Sequence, residues 1–250
     1  VFTLGVEPNG RNINDDCGSL FPERAAAKVL ELRADVGISL DGDADRVIVI
    51  DERGEIYDGD MLMWMCARDM KERGVLEKDT VVATVMSNLG LELALQSIGV
   101  ELLRTQVGDR YVVEAMRAGG YNFGGEQSGH ILFLDHSTTG DGMMSALQVL
   151  VLMARSGQKL SELNKGFVRL PQVMVNIGVA EKRPIAELIS FQEQVAEVED
   201  ELGDNGRVLI RYSGTENLAR VMVEGRDENR VHEMANHLAS KLKQSLAEGA

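Results

Sequence analysis

Val36-Gly37-Ile38-Ser39-Leu40-Asp41-Gly42-Asp43-Ala44-Asp45-Arg46-Val47-Ile48-Val49-Ile50 sets two apolar runs of strand length around three carboxylates on alternate residues. In an extended chain alternate side chains stand about 6 to 7 Å apart, whereas neighbouring oxygens around a magnesium ion lie only about 3 Å apart. The segment between the runs therefore has to curl if its carboxylates are to share an ion, and Gly42 and Ala44 are small enough to let it wrap. Three like charges held between two buried strands repel one another unless a cation intervenes. Asp41, Asp43 and Asp45 are accordingly candidate ligands of a divalent metal. Two other readings compete. Asp41, Asp43, Asp45 and Glu52 fall at positions 1, 3, 5 and 12 of a calcium-binding EF-hand loop, but Arg46 stands where that loop needs glycine and the flanks are strand-like. A solvated acidic turn is the other.

Outward from this loop, residues 22–33 form a helical pattern with proline early and strong helix formers after it. Residues 51–55 make a turn, and residues 60–72 return to helical spacing, with Met61, Met63, Trp64 and Met65 read as core packing. A second segment opens near Lys78-Asp79: strand 80–86, helix 89–98 ended by Gly99, strand 100–104, helix 109–118 stopped by Gly119-Gly120, then helix 141–155. This alternation predicts an α/β layer with a largely parallel sheet. The remainder reads as strand 171–180, acidic helix 185–202, two strands around a polar loop and a closing helix 227–246. The expected fold is α/β: two sheet-and-helix domains, residues 1–77 and 78–168, then a small α+β domain, residues 169–250. Residues 157–170 are its connector.

The 250 residues carry 26 Lys and Arg against 40 Asp and Glu, a net charge of −14 that repels nucleic acid and anionic membranes. An anionic partner then has to be met by a local basic pocket. Cys17 and Cys66 fit neither a metal spacing nor a disulfide framework, which suits a reducing cytoplasm. The most apolar stretch, residues 143–154, is too short to span a bilayer, and no signal peptide is visible.

Three further constellations carry chemistry. Gly124-Gly125-Glu126-Gln127-Ser128-Gly129-His130 presents a carboxylate, an amide, a hydroxyl and an imidazole on one glycine-bounded loop, an inventory that hydrogen-bonds sugar hydroxyls or an amine. A plain polar hairpin with a structural His130 is the alternative. Arg211-Tyr212-Ser213-Gly214-Thr215-Glu216-Asn217, with Arg220 following, gathers two guanidinium forks, hydroxyls and a glycine that suit a phosphate. Its alternative is a Ser-Gly turn with Arg220 paired to Glu216 or Glu224. Val107-Gly108-Asp109-Arg110 places Asp109 at a helix start, where it can simply cap the helix.

In this order and spacing, D-G-D-A-D-R, G-E-Q-S-G-H and R-Y-S-G-T-E-N resemble the α-D-phosphohexomutase superfamily over nearly the whole chain. Asn12 to Ser19, Val107 to Val112 and Asp141-Gly142-Met143 point to its bacterial amino-sugar branch. The resemblance implies that Asp41, Asp43 and Asp45 bind Mg2+, that Glu126 and Ser128 meet the sugar with His130 nearby, and that Arg211, Ser213, Gly214, Thr215 and Arg220 hold the distal phosphate. It implies conversion of glucosamine 6-phosphate to glucosamine 1-phosphate in the cytoplasm, through a phosphoserine enzyme and a bisphosphate, for cell-wall amino sugar. Arg46 is then a charge-balancing group or a structural ion pair, and Arg110 and His130 are candidates for the general base.

The family's Ser-His-Asn-Pro phosphoserine motif does not occur in this chain; His136-Ser137-Thr138 has the wrong order and position. The resemblance implies that the chain lacks the nucleophile's domain, that residues 1–77 are an incomplete metal-binding domain, 78–168 the sugar-binding and 169–250 the phosphate-binding domain, and that the chain binds without turnover. Asn217 stands where the family usually has proline, and Ala219 where it has a larger aliphatic residue. The competing functions are a phosphomannomutase or phosphoglucomutase, a haloacid-dehalogenase-like phosphatase with Asp41 as nucleophile, and a non-catalytic sugar-phosphate sensor.

Overall fold

The computed structural model describes residues 1–247, and the chain divides into two compact units, residues 1–168 and residues from Arg169 onward.

In the first unit α1 (Glu23–Leu32) starts after Pro22 and ends where Arg33 turns left-handed, its N–H bonding back to the carbonyls of Val29 and Leu30. β1 (Val36–Leu40) and β2 (Val47–Asp51) pair antiparallel with Leu40 opposite Val47, and β3 (Ile56–Tyr57) adds to β2. The acidic loop is therefore the connection at one end of a hairpin. β2 is buried throughout, as the centre of the order β1-β2-β3. β1, expected to be buried, is half-exposed with only Ser39 buried, because it lies at the edge.

α2 (Gly59–Glu72) is capped by Asp58, whose carboxylate accepts the N–H groups of Asp60 and Met61. Its Met61, Met63, Trp64 and Met65 are all buried, as core packing requires. They join one apolar core with Val47, Val49 and Tyr57 of the first sheet and Val81, Ala83, Phe123 and Ile131 of the next. α2 thus lies in a core shared by both sheets of this unit.

That next sheet consists of β4 (Thr80–Thr84), β5 (Glu101–Thr105), β6 (Phe123–Gly125) and β7 (Ile131–Phe133) in the order β5-β4-β6-β7. The first three are mutually parallel, and β7 folds back antiparallel on β6. α3 (Leu89–Ser97), α4 (Asp109–Gly119), α5 (Gly142–Ser156) and short α6 (Leu160–Leu163) complete the unit, α6 lying within the expected connector. In such sheets ligands gather at the carboxyl ends of the strands. Here those ends deliver Gly108 at the start of α4 and the turn 126–130 after β6.

The second unit has β8 (Gln172–Gly178), α7 (Ile189–Leu202), β9 (Gly206–Tyr212), β10 (Leu218–Gly225) and α8 (Glu228–Ala247). Its antiparallel sheet has the order β8-β10-β9, and α7 and α8 cover it with a separate apolar core. The expected helix 185–202 is broken at Leu188, between a single 3-10 turn and α7.

Cys66 on α2 is buried, and burial pushes its thiol up to about 12. Because the folded chain holds the proton more tightly, this group's contribution to stability is complete below its ordinary value near 9 and is lost as pH climbs toward about 12. At pH 8 an alkylating reagent is expected to label half-buried Cys17 and leave Cys66 untouched until denaturant is added. Equal labelling rates in the native chain would contradict this packing.

Candidate functional site

The loop between β1 and β2 curls as its spacing demands. Ligand oxygens of Asp41, Asp43 and Asp45 all lie within 4.8 Å of one another, slightly more than the roughly 4 Å across a magnesium octahedron. Small side-chain rotations would close that difference. The curl is made by Ala44, which takes the left-handed region at φ 59°, while Gly42 stays outside it. Ala44 N–H donates to the Asp41 carbonyl at 3.2 Å, and Ala44 C=O accepts from Gly142 N–H at 2.8 Å, tying the loop to the start of α5. Arg46 N–H donates to Asp41 Oδ1 at 3.1 Å, and its Nε lies 3.9 Å from Asp41 and 3.8 Å from Asp45. Burial pushes the Asp45 carboxyl above its ordinary range, His130 opposes this, and Asp41 and Asp43 add to the rise. Hard oxygen donors crowded in this way fit a small divalent cation. A cavity of about 500 Å³ opens over them, walled opposite by Ile13, Asn14 and Leu20. A larger cavity of about 870 Å³, lined by residues such as Leu30, Leu150 and Met153, contains none of these carboxylates. Donor chemistry, not size, marks the site. Glu52, the twelfth position of a calcium loop, instead bonds Ser161 at 2.6 Å, which removes the EF-hand reading.

Replacing Ala44 with glycine removes the cost of a left-handed Cβ and should raise metal-free stability by about 0.5–1 kcal/mol in urea melts, net of the freedom glycine adds to the unfolded chain. A destabilised variant would mean that the curl is not held as described.

The turn after β6 is a fastening point. Gly129 C=O accepts Val47 N–H at 3.0 Å, Gln127 C=O accepts Gly59 N–H at 3.0 Å, and Glu126 Oε1 accepts Gly108 N–H at 3.1 Å. One loop thus holds the first residues of β2 and α2 and the residue that precedes α4. Gly129 is required there: at φ 94° an added Cβ would lie 2.3 Å from Val47 O. Glu126 and His130 are buried, and Ser128 is exposed. His130 Nδ1 lies 3.2 Å from Asp45 Oδ2 and Nε2 lies 3.9 Å from Asp109 Oδ2. Glu126, Ser128 and His130 are therefore on the loop that reaches the carboxylate cluster. Asp109 is not the helix cap expected of it: Gly108 occupies that position and no side chain caps the helix. Arg110 lies on the exposed face of α4, 3.3 Å from Glu114 and over the Tyr111 ring.

In the second unit, Arg211 and Arg220 are directly opposed on β9 and β10, and residues 213–217 join the strands. Ser213 is buried, its N–H donating to Leu218 O at 2.8 Å and its Oγ accepting from Glu216 N–H at 3.2 Å. Gly214 and Thr215 are exposed at the tip. Arg220 Nη2 bonds Glu216 at 2.9 Å, so the ion pair of the alternative reading exists, while Glu224 belongs to Arg207. Arg220 Nε is nevertheless buried without a partner among the described residues. Burial and the neighbouring Arg220 lower the Arg211 guanidinium from its usual value. Val179 N–H pins the loop through Asn217 C=O at 3.0 Å.

Two residues here escaped the sequence reading. Lys182 Nζ donates to Ser213 C=O at 2.7 Å, and Arg183 C=O accepts from Tyr212 OH at 2.6 Å. They form the one adjacent basic pair in residues 169–250, the only sequence signal that could have found them.

Family sequence models match the chain twice: the phosphoglucomutase/phosphomannomutase α/β/α domain III over residues 58–170, and the C-terminal domain of the same family over residues 174–241. The chain belongs to this phosphohexomutase family, which removes the dehalogenase-like reading. Among curated relatives it is 56% identical to phosphoglucosamine mutase of Nitratidesulfovibrio vulgaris, covering 98% of this chain and 55% of that protein. It is 52% identical to phosphoglucosamine mutase of Bdellovibrio bacteriovorus, covering 99% and 54%. The chain spans about half the length of the curated relatives it matches. Among solved structures, N-acetylphosphoglucosamine mutase of Aspergillus fumigatus, in complex with GlcNAc-6P and magnesium, superposes with a TM-score of 0.71 at 22% identity, covering 93% of this chain and 53% of that one. A phosphoglucomutase/phosphomannomutase family protein of Burkholderia thailandensis gives 0.74 at 21% identity, covering 91% and 50%. At that identity both show the shared fold. No helix among the described residues is long and apolar enough to cross a membrane.

Proposed function

We propose that these residues are the metal-, sugar- and phosphate-binding part of a cytoplasmic phosphoglucosamine mutase that converts glucosamine 6-phosphate to glucosamine 1-phosphate through a bisphosphate. The observation that carries the reading is the carboxylate cluster of Asp41, Asp43 and Asp45, within 4.8 Å, in a chain of this family. Residues 1–77, 78–168 and 169–250 then serve metal, sugar and phosphate binding in turn.

Asp41, Asp43 and Asp45 would hold Mg2+, which would supply charge neutralisation for phosphoryl transfer. Arg46 fixes Asp41 through its backbone N–H and offsets part of the cluster's charge. Glu126 and Ser128 bind the sugar, with Glu126 oriented by Gly108 N–H. Arg211 and Arg220 grip the phosphate that is not reacting, aided by Ser213, Gly214 and Thr215. Most of the catalysis assigned to these residues is positioning and electrostatics.

Assayed on glucosamine, glucose and mannose 6-phosphates, the complete gene product should favour glucosamine 6-phosphate by at least about tenfold in kcat/KM, a margin of about 1.4 kcal/mol. Better turnover of glucose or mannose phosphate would favour the phosphoglucomutase or phosphomannomutase reading instead. The 250 residues alone should bind sugar phosphate without turnover, and mutase activity in them would refute the assignment of the nucleophile elsewhere.

A further inference from the structure

We propose that His130 is the positioning residue of the cation site: it holds Asp45 in the orientation that binds metal. The inference rests on the reading of Asp41, Asp43 and Asp45 as cation ligands and assigns His130 a role distinct from sugar contact or proton transfer. The ring is only 3% exposed, and its Nδ1 stands 3.2 Å from Asp45 Oδ2. The other oxygen, Oδ1, is left beside Arg46 Nε at 3.8 Å. One oxygen of Asp45 is thus occupied from behind, and the carboxylate loses the freedom to swing out of the cluster.

The imidazole is itself immobilised. An added Cβ on Gly140 would fall 2.1 Å from Nε2, so the Gly140 backbone lies directly against the ring. The His130 carbonyl accepts Glu126 N–H at 2.9 Å, and the preceding Gly129 carbonyl accepts Val47 N–H. Nε2 is buried without a hydrogen-bond partner among the described residues, with Asp109 3.9 Å away. A buried ring nitrogen left unbonded costs stability, and the contact that the fold keeps in exchange is the one to Asp45.

Mg2+ titration of the 250-residue chain by calorimetry separates the two nitrogens, because an asparagine amide nitrogen falls near the Nδ1 position and a glutamine amide nitrogen near Nε2. His130→Ala and His130→Gln should weaken Mg2+ binding by about tenfold or more, and His130→Asn should stay within a few-fold of wild type. Wild-type affinity in His130→Ala, or affinity in His130→Asn as low as in His130→Ala with unchanged circular dichroism, would overturn the proposal. Should His130→Ala unfold, the Asn and Gln variants carry the comparison, and equal affinity in those two overturns it as well. Failure of the wild-type chain to bind Mg2+ would instead strike the cation-site reading on which this one stands.

Discussion

Asp43→Asn is expected to reduce Mg2+ affinity by about two orders of magnitude while making the metal-free chain more stable. The two effects have one origin. Asp41, Asp43 and Asp45 crowd their oxygens within 4.8 Å, and Asp45 is pushed up by burial and by its two acidic neighbours. Removing one charge relieves that repulsion when no cation is present and removes a hard ligand when one is. Saturating Mg2+ at a hundred times Kd should stabilise the wild-type chain by about 2.7 kcal/mol and should scarcely move the variant. Thermal melts with Mg2+ or with chelator read both signs in one experiment. A variant that is less stable than wild type in chelator would show that the acidic loop is a hydrogen-bonded turn and not a cation site.

Arg211→Ala should lower the affinity of the chain for glucosamine 6-phosphate by about a hundredfold, from roughly 3 kcal/mol for losing a bidentate charge-assisted contact. Arg211→Lys should recover only part of it, since an ammonium keeps the charge but not the planar fork. The structural ground is the pairing of Arg211 with Arg220 across β9 and β10 and the lowering of Arg211 by burial beside that second cation. Raising the salt concentration should weaken wild-type binding and flatten the difference between variants. In the complete gene product the same substitution should cut kcat/KM, because a grip on the non-reacting phosphate supplies binding energy that positions the reacting end. Full affinity in Arg211→Ala would place the phosphate elsewhere.

Local chemistry was legible wherever it lay within one loop. Alternate aspartates between apolar runs announced a curl, and the helices and strands of residues 59–119, with helix 142–156, were read within a few residues of where they lie. Contacts that close over long sequence distances were not. His130, which meets Asp45, lies 85 positions further along the chain, and no local pattern in either segment encodes that approach. The same holds for Lys182 against Ser213. Asp109 looked like a cap because it opens a helix, yet Gly108 at φ 130° takes that place and frees the carboxylate to lie near His130. Reading β1 as buried failed for a related reason: apolar composition does not reveal whether a strand is central or at an edge.

The shared core under both sheets of the first unit has a consequence for inheritance. Val47, at the root of the carboxylate loop, and Ile131, at the root of the Glu126 turn, are packed into the same apolar mass around α2. Mutations that loosen one loop therefore loosen its companion, and neither can drift toward a new ligand while the other stays fixed. Diversification within such a lineage would have to run through the exposed tips, at positions such as Ser128, and leave the buried roots unchanged.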